Sequence, residues 1–317
     1  MEAIKREKVI ITAALTGALT TRKQCEYIPY TPVEIAEEAR RCADAGCAVV
    51  HIHAREDDGL PSFKVWKYAE IMAEIRKRSD IIINFSTGAV GIPMDQRVGH
   101  IVRLKPEIGA LNMGSMNYAI YSKSKKQFYF DFVFSNPFRD ITYLLEKMNE
   151  AGVKPELEVF DNGHIGNTRP LLDQGVLRTP LDFSLVMGVL GGIPSTTRAL
   201  LFQAESLPPG STWKLVGISQ DQWPLLAATL TIGGNVRVGL EDNFYLPDGE
   251  RARGSSVLVE KAAAMCADAG RPVATIAQAR EMLGLSATPS QVPGDFVADP
   301  NESAPVPSLE SLSVTPP

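Results

Sequence analysis

Short, almost wholly apolar runs alternate with helical or polar stretches along most of the chain. The first, Val9-Ile-Ile-Thr-Ala-Ala-Leu15, ends at Thr16-Gly17. A polar loop to Tyr30 then leads into Thr31-Pro32-Val33-Glu34, a helix start with Thr31 as N-cap, Pro32 at the first helical position and Glu34 completing a capping box. The helix is predicted to run to Ala45 and to stop at Gly46. A second apolar run follows, Ala48-Val-Val-His-Ile-His-Ala54. Runs apolar at every position, rather than at every second one, are the pattern of parallel strands covered on both faces.

The alternation continues. A helix near 64–78 precedes the strand Asp80–Phe85, which ends in Ser86-Thr87-Gly88. A helix at Met94–Leu104 precedes Gly109–Met113, which ends in Gly114-Ser115. Tyr118–Phe134, polar and then aromatic, reads as a long loop before a helix at Pro137–Ala151. The strand Glu156–Phe160, the loop Asp161–Gly166 and a short helix at Pro170–Gly175 come next. The strand Leu181–Met187 leads to a helix at Ser195–Glu205, and the strand Thr212–Ile218 to one at Trp223–Gly233. The last strand, Asn235–Leu240, precedes the helix Ser255–Ala269.

Eight strand-then-helix units predict an α/β protein, a (β/α)8 TIM barrel of parallel strands with its active site at the C-terminal strand ends. The competing open doubly wound sheet lacks its G-x-G-x-x-G fingerprint after the first strand. Residues 1–285 are read as the barrel domain. Residues 286–317, rich in Pro and Ser and without periodicity, are expected to be flexible or to pack on a neighbouring subunit.

Composition adds mainly exclusions. The 317 residues are 44% hydrophobic and 22% charged, enough to bury a large core. A net charge of −5 and a pI near 5.5 give no footprint for nucleic acid. No apolar run approaches the roughly 18 residues needed to span a bilayer, and the N-terminus has no signal-peptide cleavage pattern. Cys25, Cys42, Cys47 and Cys266 form no C-x-x-C pair and read as reduced thiols of a cytoplasmic protein.

His51 and His53 change the picture most. At i and i+2 of a strand they point to the same face. A neutral imidazole pair on a buried strand suits a transition metal such as Zn²⁺; two core histidines with ordinary partners are the other reading. In a closed barrel the first strand separates the second from the eighth, so those two axes lie roughly 10 Å apart. Glu241, after the eighth strand, can then be a third ligand, leaving a coordination position open. Glu241 and Asp242 can also be read as a solvated acidic turn.

Six segments, in order, resemble the β-keto acid cleavage enzymes typified by 3-keto-5-aminohexanoate cleavage enzyme. They are Ile11-Thr-Ala-Ala-Leu-Thr-Gly17, Thr31-Pro-Val-Glu-Ile-Ala36, Val50-His-Ile-His-Ala-Arg55, Asn84-Phe-Ser-Thr-Gly88, Leu111-Asn-Met-Gly-Ser-Met-Asn117 and Val236-Arg-Val-Gly-Leu-Glu-Asp242. The resemblance implies a zinc enzyme that reacts a β-keto acid with acetyl-CoA, giving acetoacetate and a new acyl-CoA by retro-Claisen chemistry. It implies His51, His53 and Glu241 as zinc ligands, with Mn²⁺, Co²⁺ or Ni²⁺ tolerated by the same donors. It also implies Asp242 as acid/base group, Arg237 as its electrostatic partner, and a homotetramer. Ser86 matches the serine that holds the substrate carboxylate. A hydroxyl or amide near Asn112–Ser115 is expected to assist, and Thr87 offers a further donor. The residue types suit the chemistry: a Lewis acid stabilises an enolate, a carboxylate takes the proton, and a guanidinium keeps that carboxylate ionised.

One departure concerns Leu19. The relative that takes an amino-substituted substrate carries an acid there, so Leu19 predicts a neutral or apolar R group. Rival readings are a metal-dependent aldolase, an amidohydrolase-like hydrolase with His164 as a further ligand, and a non-catalytic metal-binding barrel. His100, in a helix beside basic residues, is expected at the surface. Phe128–Phe134 is expected to pack as an ordinary loop.

Overall fold

The computed structural model describes residues 7–299 and 302. The chain opens with β1 (Ile11–Ala14), α1 (Pro32–Asp44), β2 (Val49–Ile52), α2 (Val65–Arg76), β3 (Ile82–Ser86), α3 (Met94–Leu104) and β4 (Ile108–Asn112). It continues with β5 (Met116–Ser122), β6 (Gln127–Phe134), α4 (Phe138–Ala151), β7 (Lys154–Val159), α5 (Asn162–Gly166), α6 (Thr168–Asp173) and β8 (Asp182–Met187). The last elements are α7 (Thr197–Glu205), β9 (Thr212–Gly217), α8 (Gln222–Thr231), β10 (Asn235–Val238), α9 (Ser255–Asp268) and α10 (Ile276–Met282).

Eight strands close a parallel barrel in the order β1-β10-β9-β8-β7-β4-β3-β2. The predicted start of α1 forms as read: the Thr31 hydroxyl accepts from the Glu34 amide, and the Glu34 carboxylate accepts from the Thr31 amide. Outward strand side chains such as Ile83, Phe85 and Leu111 pack against the helices. The N-terminal end is plugged by Ala279 and Leu283, from α10 and its C-cap, against Ile10, Val49, Ile82 and Ile108. The inside of the barrel is not wholly apolar. Lys214 lies 2.8 Å from Glu156 and 3.0 Å from Asp182, and Glu156 also accepts from Asn84 and Ser184. All four cysteines are buried and free, and no helix among the described residues is long and apolar enough to cross a membrane.

Two expectations need correction. Tyr118–Phe134 is not a loop: β5 and β6 pair antiparallel as a hairpin inserted between β4 and α4. Cross-strand pairs such as Tyr118 with Phe132 hold it together, so its stability comes from ring packing rather than turn residues. His100 is fully buried. Its ring stacks on Tyr68 at 3.9 Å and Nε2 lies 2.9 Å from the Ser86 carbonyl oxygen. Described residues of the tail hydrogen-bond to the barrel. Ser290 donates two hydrogen bonds to Glu107, and Arg103 donates to the Val297 carbonyl. The rest of the tail, 300–301 and 303–317, is outside the described residues.

Candidate active site

At the C-terminal ends of the strands lies an open cavity of about 200 Å³. Its floor carries His53, Glu158, Arg237, Glu241 and Asp242; Ser86 and Asn112 stand on one side. Its walls are apolar: Phe132 and Phe134 of the hairpin, with Phe160, Val186, Val216 and Ile218 from the strand ends. Leu19, on the loop after β1, is part of the lining.

His51 and His53 converge on Glu241, as the strand geometry requires. Glu241 Oε1 lies 3.6 Å from His51 Nε2 and 3.5 Å from His53 Nε2. One donor atom from each residue can be chosen so that all three lie within 4.8 Å of one another. Neither ring nitrogen of His51 has a hydrogen-bond partner, although both are buried. Such an orphaned pair is costly without a ligand. Burial above all, then the nearby Arg237, pushes the His51 imidazolium down to about 3, so the ring is neutral, the form that binds metal. Two neutral imidazoles and a carboxylate fit a divalent ion with one position left for substrate.

The three candidate ligands are themselves held. Glu241 Oε2 accepts from the Gly17 amide and Oε1 from Arg237 Nη2 at 2.9 Å. Gly17 has φ +60°, and a Cβ there would stand 2.8 Å from Thr20 Oγ1, so glycine is required for this approach. The Thr16 hydroxyl bonds the His53 backbone at 2.8 Å. Buried Arg55 donates to the carbonyls of Thr16, Gly17 and Thr20, clamping the base of the β1 loop, and to the Gly59 carbonyl in its own loop.

Arg237 and Asp242 form a buried two-pronged pair, Nε to Oδ2 at 2.9 Å and Nη2 to Oδ1 at 3.0 Å. Arg237 was expected to hold Asp242 low. It pulls in that direction, but burial and the neighbouring Glu241 outweigh it, and the Asp242 carboxyl stands up at about 6. Glu241 goes the other way: against burial, Arg237 and the histidines hold it well below its ordinary range.

The structure divides the remaining expected residues. Ser86, Asn112 and His53 meet around Gly88, where a Cβ would lie 3.3 Å from Ser86 Oγ, 3.6 Å from Asn112 Nδ2 and 3.8 Å from His53 Cε1. The Ser86 hydroxyl accepts from the Gly88 amide. Thr87 and Ser115 are not brought to the cavity. The Thr87 side chain turns back to donate to the Ala110 carbonyl, because alternation along β3 sends Ser86 inward and its neighbour outward. The Ser115 hydroxyl accepts from the Asn136 amide below the hairpin. His164 is also committed: Nδ1 accepts from the Phe160 amide, and Nε2 lies 3.3 Å from the Ser115 carbonyl oxygen. It cannot serve as the further ligand of a hydrolase.

Glu158 was missed. Its signal was present in Glu156-Leu-Glu158, the same i, i+2 pattern on a barrel strand that singled out the histidines. Burial, then Glu156, Glu241 and Asp242, outweigh Arg237 at 3.5 Å and push its carboxyl up to about 8.

A polar, metal-ready floor beneath apolar walls, at the mouth of a (β/α)8 barrel, marks an enzyme for a small substrate with a carbonyl-bearing head. Residues 8–285 match the beta-keto acid cleavage enzyme family, and the chain belongs to it. It is 40% identical over 282 residues to a 3-keto-5-aminohexanoate cleavage enzyme of Acetoanaerobium sticklandii, spanning 88% of this chain and 99% of that protein. It is 33% identical over 299 residues to the 3,5-dioxohexanoate:acetyl-CoA acetone transferase of Paraburkholderia graminis, spanning 88% and 96%. Among solved structures, apo ObcA superposes with a TM-score of 0.70 at 23% identity, over 82% of this chain and 66% of that one, just under two thirds of it; this likeness concerns the fold.

Proposed function

We propose that this chain converts a β-keto acid and acetyl-CoA into acetoacetate and a new acyl-CoA, with a divalent ion, zinc by donor type, at His51, His53 and Glu241. The observation that carries this reading is the orphaned His51 ring beside Glu241, which itself lines the cavity together with His53 and the Arg237–Asp242 pair. The names of relatives agree: one is a 3-oxoadipate:acetyl-CoA acetyltransferase of Cupriavidus necator, 34% identical. When bound, the ion supplies a Lewis acid for a ketone oxygen.

The chain's own groups do the rest. Ser86 and Asn112 hold the substrate carboxylate and fix carbon 2 toward Asp242. Asp242 removes a proton from carbon 2, and the resulting carbanion attacks the acetyl thioester, expelling CoA thiolate. The thiolate adds to the substrate's original ketone, the bond from that carbon to carbon 2 breaks, and protonated Asp242 returns its proton to the acetoacetate carbanion. Arg237 orients Asp242 throughout, and Glu158, protonated at neutral pH, offers a hydrogen-bond donor to developing negative charge. The apolar wall and Leu19 favour a neutral or apolar R group over a cationic one. The reading includes a cytoplasmic enzyme assembled as a homotetramer, which light scattering on the purified protein checks.

The test is a panel of β-keto acids with acetyl-CoA, scored by mass spectrometry for new acyl-CoA esters, alongside metal content. Full turnover after exhaustive chelation would remove the metal from the reading. Release of an aldehyde without CoA would replace it with the aldolase.

A further inference from the structure

Between the cavity and solvent runs a continuous aromatic track along the β5–β6 hairpin. Phe134, Phe132 and Tyr118 line the cavity; Tyr118 stacks on Phe132 at 5.4 Å and on Phe130 at 6.4 Å, farther out. Beyond them the turn carries Lys123, Lys125 and Lys126 within four residues, all exposed. Among the described residues none of the three has an ion pair. Lys125 only overlies the Tyr129 ring at 5.5 Å. Asp131 is the one acid between Met116 and Phe134.

The hairpin is seated. Ala119 bridges to Leu190 in the loop after β8, and a Cβ on Gly191 would stand 1.9 Å from the Asn117 carbonyl oxygen, so that loop must keep a glycine for the hairpin to lie where it does. From the Tyr118–Phe132 pair to the Ser122–Gln127 pair is four residues of β5, roughly 14 Å of strand at about 3.4 Å per residue.

We propose that this hairpin is the docking arm for the phosphates of CoA. The pantetheine arm lies along the ring track with its thioester at the cavity floor, and the basic turn receives the pyrophosphate and 3′-phosphate. The proposal rests on acetyl-CoA being the co-substrate. A molecule with a reactive thioester at one end, a long uncharged arm and several phosphates at the other matches the sequence polar floor, ring track, lysine turn in the same order. Lysines at a hairpin end can also serve to keep an open sheet edge from pairing with another chain. That role predicts no effect on CoA.

The test measures equilibrium binding of CoA, dephospho-CoA and pantetheine by calorimetry to the full chain and to the triple variant K123S/K125S/K126S. Binding needs no turnover, so a wild-type protein that binds CoA but converts no acetyl-CoA would sink the reaction above while leaving this site standing. The expected result is a loss of about tenfold in CoA affinity, with pantetheine unchanged. The wild-type preference for CoA over pantetheine should shrink as salt rises, and the triple Lys-to-Arg variant should restore it. A smaller loss for dephospho-CoA would assign part of the contact to the 3′-phosphate, and equal losses would assign it to the pyrophosphate. CoA affinity within twofold of wild type in the serine variant, a matching loss for pantetheine, or no CoA binding by the wild type would each overturn the proposal.

Discussion

Two charged layers lie inside one barrel, and they are built differently. In the lower layer Lys214 is shared by Glu156 and Asp182, and Glu156 takes two further hydrogen bonds. Burial alone would raise the Glu156 carboxyl, yet Lys214 and then His51 bring it down to about 2. In the upper layer one guanidinium faces three carboxyl groups, two of which stand raised at about 6 and about 8, beside a histidine with no partner on either nitrogen. Buried charges whose partners are all protein support the barrel. In the upper layer one cation is shared among three carboxyl groups beside a histidine unpartnered on both nitrogens, which is the character of a site that takes a ligand.

The contrast can be attacked directly. Asp242→Asn should retain metal, by elemental analysis, and lose about 10²–10⁴ in kcat, whereas His51→Ala should lose metal and turnover together. A rate within threefold of wild type for the asparagine variant would end the role of Asp242 as base. In the lower layer, Lys214→Met strands two buried carboxylates and should cost about 3–5 kcal/mol in urea unfolding while the folded fraction keeps its metal affinity. A stable Lys214→Met protein that has lost its metal would erase the distinction between the layers. The pH sense follows from Glu156: its folded value is depressed, so its contribution to stability is complete above about 4.5 and disappears as pH falls toward about 2.

Smaller effects probe the cavity. Leu19→Glu should move kcat/KM toward amino-substituted β-keto acids by about 10–100-fold relative to uncharged ones. An unchanged ratio would show that the R group lies elsewhere. Asp242 must be unprotonated to accept a proton, and its carboxyl stands at about 6. The acid limb of kcat/KM should therefore fall tenfold per pH unit at or below about 6, lower if bound metal adds its own field. A limb above pH 7 would point to another group.

The barrel was legible because several of its strands read as near-continuous apolar runs and because helix signals such as Thr31–Glu34 stand at the right intervals. The metal-ready trio was legible because i, i+2 spacing and barrel adjacency are geometric. Glu158 obeys the same spacing, but Glu156-Leu-Glu158 looks like an ordinary strand until the register turns both acids inward. The hairpin was hidden because its outer face carries Tyr129 and Val133 toward solvent, so polar–apolar alternation never appears. His100 sits beside Arg97, and only tertiary contacts explain the two basic side chains inside: His100 with Tyr68 and the Ser86 carbonyl, Arg97 donating to the Thr87 carbonyl and to Asn136 Oδ1. Thr87 and Ser115 differ from Ser86 and Asn112 by which way each points, which motif position alone does not state.

The Arg55 clamp has a consequence for how such an enzyme can diversify. It pins the root of the β1 loop through three carbonyls, those of Thr16, Gly17 and Thr20, and backbone atoms accept any side chain. Gly17, which touches Glu241, is thereby anchored independently of Leu19 two residues away. Mutation at position 19 can drift among charged, polar and greasy residues without disturbing the His51, His53 and Glu241 trio, so a lineage can reshape the cavity wall while the polar floor stays intact.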